Sequence, residues 1–188
     1  MGTVYLIRHG ETEWSRSGQH TSFTDLDLTA RGADQAAALA PVLAGVEFAA
    51  VLTSPRLRAR RTADLAGLPG AVVDEDLAEW HYGGYEGLTT AQIHERAPGW
   101  SLWTDGGGPG GETPEQVGER VDRLLARVRS LTGDVALVAH GHCLRVIAAR
   151  WVGLPVALAK IFYLDTATVS VLGHEHGEPV LRRWNAAA

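Results

Sequence analysis

The chain has 188 residues, 45% of them hydrophobic and 21% charged, with a formal net charge of −5. That length and balance suit one globular domain with a substantial core, and they argue against a general nucleic-acid binder, which carries a basic excess. The single cysteine, Cys143, excludes an internal disulfide framework and fits a reducing, cytoplasmic setting, and no signal peptide or transmembrane run is expected because Leu6 and Ile7 pass straight into Arg8 and His9.

Thr3 to Ile7 are β-formers and predict a buried strand, yet the run ends abruptly in Arg8-His9-Gly10-Glu11. A polar loop over residues 10–28 follows, then an Ala-rich helix from Arg31 to Ala44 in which Pro41 is a potential kink. Residues 48–54 read as a second strand and 54–67 as its helix, with Ser54 as N-cap and Pro55 at the first helical position. A short strand at Ala71–Val73 leads into "LAEWHYGGYEGL" and a mixed region holding Trp100, Trp103 and the glycine-rich 106–111, a surface loop that is either a lid or passive. Thr113 and Gln116 have capping-box spacing, and Val117, Val121, Leu124, Leu125 and Val128 then recur at helical intervals. A strand over 135–138 ends in a second His-Gly, His140-Gly141, before a helix from His142 to Val152 and two final strands, "TATVSVLGHE" and "PVLRRWN". This alternation predicts an α/β fold with a mostly parallel sheet covered on both faces, and residues 1–188 read as a single domain without repeat or linker.

Ligand sites in such sheets lie beyond the carboxyl ends of the strands, where His9 and His140 both fall. Helical spacing after the second strand puts Arg58, Thr62 and Leu65 on one inward stripe, whereas Arg56 and Arg60 read as a solvated face. Arg8 and Arg58 with two histidines suggest a phosphoryl site, because guanidinium groups fork onto phosphate and helix N-termini add N–H donors. A neutral imidazole can act as covalent nucleophile while the cations stabilise the transition state. Glu79 is the best candidate for the proton donor to a departing alcohol, with Glu11 and Glu86 as rivals.

These motifs are recognisable together. "LIRHGETEW", "SPRLRARRTA", "LAEWHYGGYEG" and "VAHGHCLR" resemble, in order, the four blocks of the histidine phosphatase superfamily, also called phosphoglycerate-mutase-like, and they span nearly the whole chain. The resemblance implies a three-layer α/β/α sandwich with a mainly parallel six-stranded sheet, phosphorylation of His9, a phosphate pocket of Arg8, Arg58 and His140, Glu79 as proton donor, and neither cofactor nor metal. Ser15, where many members have Asn, and "SGQHTSFTDLDLT" are similar to a branch of acid phosphatases and sedoheptulose-1,7-bisphosphatase. That branch implies substrate contacts at His20, Thr21, Tyr82 and Arg145, with Ser15 as a fifth candidate, His20 being the weakest because the bisphosphatase favours Tyr there. The implied activity is hydrolysis of a small phosphorylated metabolite, a sugar phosphate above all, with no nucleic-acid or membrane partner and a homodimer left open. A phosphoglycerate mutase is the alternative, though the short chain lacks the long insertions of mutases; a non-catalytic phospho-ligand binder is the reading from another class.

Other residues are set aside. Cys143 lacks an arginine at Cys-x5-Arg spacing, since Ala149 stands there, and reads as a small buried helix residue. His174 and His176 read as exposed turn residues and His94 as helix surface. His142 either supports His140 or caps the helix, and Trp80, Trp100 and Trp103 are either a sugar-binding rim or core.

Overall fold

A computed structural model of the chain describes residues 2–188. Six strands, β1 (Val4–Arg8), β2 (Phe48–Thr53), β3 (Val72–Val73), β4 (Asp134–Ala139), β5 (Val169–Glu175) and β6 (Glu178–Ala186), form one sheet in the order β3-β2-β4-β1-β5-β6. The first four are mutually parallel, whereas β5 runs antiparallel to β1 and forms a hairpin with β6. The sheet is therefore mainly parallel, as its motifs implied. The helices are α1 (Glu13–Ser17), α2 (Ala30–Ala38), α3 (Ala40–Leu43), α4 (Leu57–Leu65), α5 (Thr90–Arg96), α6 (Leu102–Asp105), α7 (Pro114–Ser130) and α8 (Gly141–Trp151).

The period-2 alternation of the central strands produces the layers. Val4 and Leu6 of β1, with Val135 and Leu137 of β4, face a core filled by α7 and α8. Ile7, Ala136 and Val138 point the other way, onto Leu39, Leu43, Ala59 and Ala63 of the α2–α4 layer. The capping box of α7 forms as read: Gln116 Oε1 accepts from the Thr113 N–H at 2.8 Å, and Thr113 Oγ1 accepts from the Gln116 N–H at 3.3 Å.

Several elements differ from expectation. The loop after β1 contains α1, whose Thr12 and Ser15 cap one another. The predicted helix 31–44 is two helices, because Pro41 has no N–H to continue the ladder and occupies the first turn of α3 instead. Helix α4 starts at Leu57, not Pro55. The Ser54 N–H donates to the Val138 carbonyl at 2.9 Å, which extends the β2–β4 ladder past the strand end and leaves Arg56 as the N-cap residue. Arg56 is thus outside the helix rather than on a solvated stripe with Arg60, and its Nε is buried. The glycine-rich loop lies on residues 81–85: Gly108 N–H donates to the Tyr82 carbonyl at 2.8 Å, Gly84 N–H to Pro109 at 2.9 Å and Glu112 N–H to His81 at 2.9 Å. It braces the back of that segment.

Candidate active site

β1 and β4 are neighbours with Arg8 opposite Ala139, so the two His-Gly ends meet. The His9 N–H donates to the Ala139 carbonyl at 3.0 Å, and the His9 and His140 ring centroids are 5.1 Å apart. Each glycine has a steric reason. A Cβ on Gly10 would lie 2.2 Å from the Gly32 carbonyl oxygen, so the strand end and α2 approach backbone to backbone. A Cβ on Gly141 would lie 3.2 Å from Arg8 Cζ, so the first residue of α8 leaves room for the guanidinium.

His9 Nδ1 lies 2.7 Å from the Gly10 carbonyl. A carbonyl only accepts, so Nδ1 carries the proton and Nε2 keeps its lone pair. Burial, reinforced by Arg58 and Arg8, pushes this imidazole well below its usual 6.5, and it is neutral at pH 7. Arg8 donates from Nη1 to the Leu164 carbonyl, while its buried Nε has no hydrogen-bond partner among the described residues.

Arg58 is fully buried at the first turn of α4. It donates from Nη1 to Thr24 at 3.1 Å, from Nη2 to the carbonyls of Thr21 at 3.0 Å and Ser22 at 3.3 Å, and from Nε to His140 Nδ1 at 3.2 Å. The last bond fixes a tautomer. Arg58 Nε–H can only donate, so His140 Nδ1 accepts and its Nε2–H donates to Ser54 Oγ at 2.6 Å. Burial and the nearby arginines also push His140 well below 6.5. Glu79 follows the short turn Glu75–Leu77 and reaches the N-terminus of α8. Its Oε1 accepts from the Trp80 N–H at 2.9 Å and the Cys143 N–H at 2.8 Å, and its Oε2 from the His142 N–H at 3.0 Å.

A cavity of about 230 Å³ opens over this floor, with Arg8, His9 and Glu79 in its wall. Ser15, His20, Thr21, Tyr82 and Arg145 line the same cavity, so all five substrate-contact candidates converge there. Arg58 and His140 are not in its wall; both are fully buried, with the His140 ring 5.1 Å from that of His9. His20 Nδ1 donates to the Leu88 carbonyl at 2.8 Å, and Arg145 donates to the carbonyls of Ala159 at 3.2 Å and Lys160 at 2.8 Å. The tryptophans divide. Trp80 is core, Trp103 lies under the Arg145 guanidinium at 4.4 Å and Trp100 meets the His20 ring edge at 5.7 Å. The cavity wall contains Trp14 instead of those three, together with His142. Cys143 is buried, and burial pushes its thiol up to about 12.

The family model described as histidine phosphatase superfamily (branch 1) matches residues 4–187. The chain belongs to the histidine phosphatase superfamily. It is 46% identical over 178 residues to an acid phosphatase of Mycobacterium tuberculosis, across 93% of this chain and 87% of that one. It is 40% identical over 184 residues to the sedoheptulose 1,7-bisphosphatase of Saccharomyces cerevisiae, across 80% and 68% of the two chains. The solved structure of the Rv3214 open reading frame product of Mycobacterium tuberculosis superposes with a TM-score of 0.95 at 42% identity, covering 99% of this chain and 98% of that one.

As a histidine phosphatase the chain is an enzyme of the phosphatase kind. The rival acids are occupied elsewhere. Glu86 accepts from the N–H groups of Ser22 and Thr24 and from the Ser22 hydroxyl, holding the loop whose carbonyls grip Arg58. Glu11 accepts from the Thr29 hydroxyl at 2.9 Å at the start of α2. Neither lines the cavity. Ser54 opens the block "SPRLRARRTA" but reads from sequence only as a helix cap, and no motif marks the role of Gly32.

Proposed function

We propose that the protein hydrolyses small phosphorylated metabolites, sugar phosphates above all, through a phosphohistidine on His9 and without a metal. The observation that carries this reading is the tautomer of His9: its Nδ1–H is held by the Gly10 carbonyl, which leaves Nε2 unprotonated on a side chain that lines the cavity together with Arg8, whose Nε–H has no partner among the described residues. In this mechanism His9 Nε2 attacks phosphorus and Arg8 Nε donates to a phosphoryl oxygen. With Arg8, Arg58 and His140 stabilise the charge that builds on the phosphoryl oxygens in the transition state. Glu79 gives its proton to the leaving oxygen, and water then cleaves the N–P bond. His20, Thr21, Tyr82, Arg145 and Ser15 contact the remainder of the substrate. The relatives named acid phosphatase and sedoheptulose 1,7-bisphosphatase support a sugar phosphate, and the buried free thiol of Cys143 supports a cytoplasmic setting.

The test is phosphate release in EDTA from p-nitrophenyl phosphate, sedoheptulose 1,7-bisphosphate, fructose 1,6-bisphosphate and 3-phosphoglycerate. Turnover is expected to survive chelation, and His9→Ala is expected to lower kcat by about 10³-fold or more. Equal turnover by His9→Ala would remove the nucleophile. Transfer from phospho-His9 to phosphoglycerate faster than to water would make the enzyme a mutase.

A further inference from the structure

We infer that Tyr82 and His142 form a hydroxyl-reading pair, and that the alcohol released on hydrolysis carries a hydroxyl close to its phosphoester, as polyols and sugars do. The inference rests on the phosphatase reading above and narrows its substrate class.

The Tyr82 hydroxyl lies 2.5 Å from His142 Nδ1, and both side chains line the cavity that holds His9 and Glu79. Burial keeps both neutral, pushing the phenol well above 10 and the imidazole well below 6.5. Two proton arrangements satisfy the contact. In one, the Tyr82 O–H donates to Nδ1, which leaves the phenol oxygen as an acceptor and Nε2–H as a donor. In the other, Nδ1–H donates to the phenol oxygen, which leaves the phenol O–H as a donor and Nε2 as an acceptor. Either way the pair presents one donor and one acceptor. A hydroxyl both donates and accepts and so answers both. A carboxylate or phosphate oxygen only accepts and leaves the acceptor of the pair facing a lone pair.

Position relative to the chemistry follows from Glu79. His142 Nδ1 is 4.0 Å from Glu79 Oε2, the oxygen that also accepts the His142 N–H. If Glu79 protonates the leaving oxygen, the pair stands beside the next carbons of the alcohol. Both rings are held in place: His142 stacks on His20 at 6.0 Å and 12° and meets the Trp103 edge at 5.2 Å, while Tyr82 meets His20 at 4.8 Å. A preset polar pair in a cavity wall discriminates against a ligand that displaces its water but lacks the matching hydroxyl, because its own groups then go unpaired.

The experiment compares kcat/KM for erythritol 4-phosphate and butyl phosphate, equal in carbon number, with p-nitrophenyl phosphate as a hydroxyl-free activated ester. The native enzyme is expected to prefer the polyol ester by about tenfold or more, one neutral hydrogen bond or better. Tyr82→Phe, which removes one oxygen, and His142→Phe, which keeps the aromatic stack, are each expected to erase most of that preference. The double variant should lose no more than either single one, because the two act as a unit. Turnover of p-nitrophenyl phosphate with no preference between the two alkyl esters overturns the inference and leaves the phosphatase reading standing. So does a preference that persists in both single variants. No turnover of any of the three esters overturns both.

Discussion

At the scale of single residues, the site is a set of proton positions fixed by groups that can only donate or only accept. The Gly10 carbonyl can only accept, so His9 presents a lone pair; the Arg58 guanidinium can only donate, so His140 donates its Nε2–H to Ser54 Oγ. The second chain of bonds gives Ser54 a positioning role. Ser54→Ala leaves a buried Nε2–H without an acceptor and should cost about 1–3 kcal/mol, measured by urea unfolding. The same variant is expected to lower kcat more than it raises KM, since His140 loses its anchor and the cavity wall is untouched. Steady-state kinetics on p-nitrophenyl phosphate checks this, and an unchanged kcat would leave Ser54 without the role. His9 and Arg8 are readable because a strand-end motif exposes them in sequence, and Glu79 because it sits in the block "LAEWHYGGYEG". The role of Ser54 is not, because its partner lies 86 positions away and locally it reads as a helix cap.

At the scale of elements, the two His-Gly ends differ in what their glycines face. Gly10 abuts backbone of α2 and cannot yield cheaply, whereas Gly141 abuts the far end of the Arg8 side chain, which can. Gly10→Ala should therefore destabilise the fold by about 1–3 kcal/mol or more by forcing β1 and α2 apart. Gly141→Ala should leave the melting temperature near the native value while activity drops, because the displaced guanidinium is a proposed phosphate ligand. A differential scanning fluorimetry trace beside a turnover assay separates the two. If both glycines behave alike, the distinction between backbone and side-chain contact has no force. The boundaries that sequence missed belong to this scale. Pro41 reads from sequence as a kink in one helix, but its missing N–H divides two; Ser54 reads as a cap, but the sheet ladder takes its N–H and His140 donates to its hydroxyl.

At the scale of the whole molecule, burial of several neutral imidazoles in one place couples stability to pH. His9, His140, His142 and His20 are all held below 6.5, with desolvation as the leading cause in each. Unfolding returns each to about 6.5, so below that pH the unfolded chain binds more protons than the folded one, and stability falls as pH falls. Above about pH 7 both states leave these rings neutral and the term vanishes. The expected loss is up to about 1.4 kcal/mol per pH unit for each histidine, read as a melting temperature that declines from pH 7 to pH 5. A flat profile over that window would show that the rings are not buried neutral in solution. By itself the sequence determined the α/β class, the order of strands and helices, and the residue types at the strand ends, because hydrophobic period, caps and the His-Gly motifs are local signals. It also carried the family, through four blocks whose order and spacing survive in the chain. The tertiary structure decided which carboxylate faces the cavity, which tautomers the histidines adopt, and that Tyr82 meets His142. Those depend on donors and acceptors from distant segments meeting in space, and a hydrogen-bond partner across 60 residues leaves no trace in the periodicity of either segment.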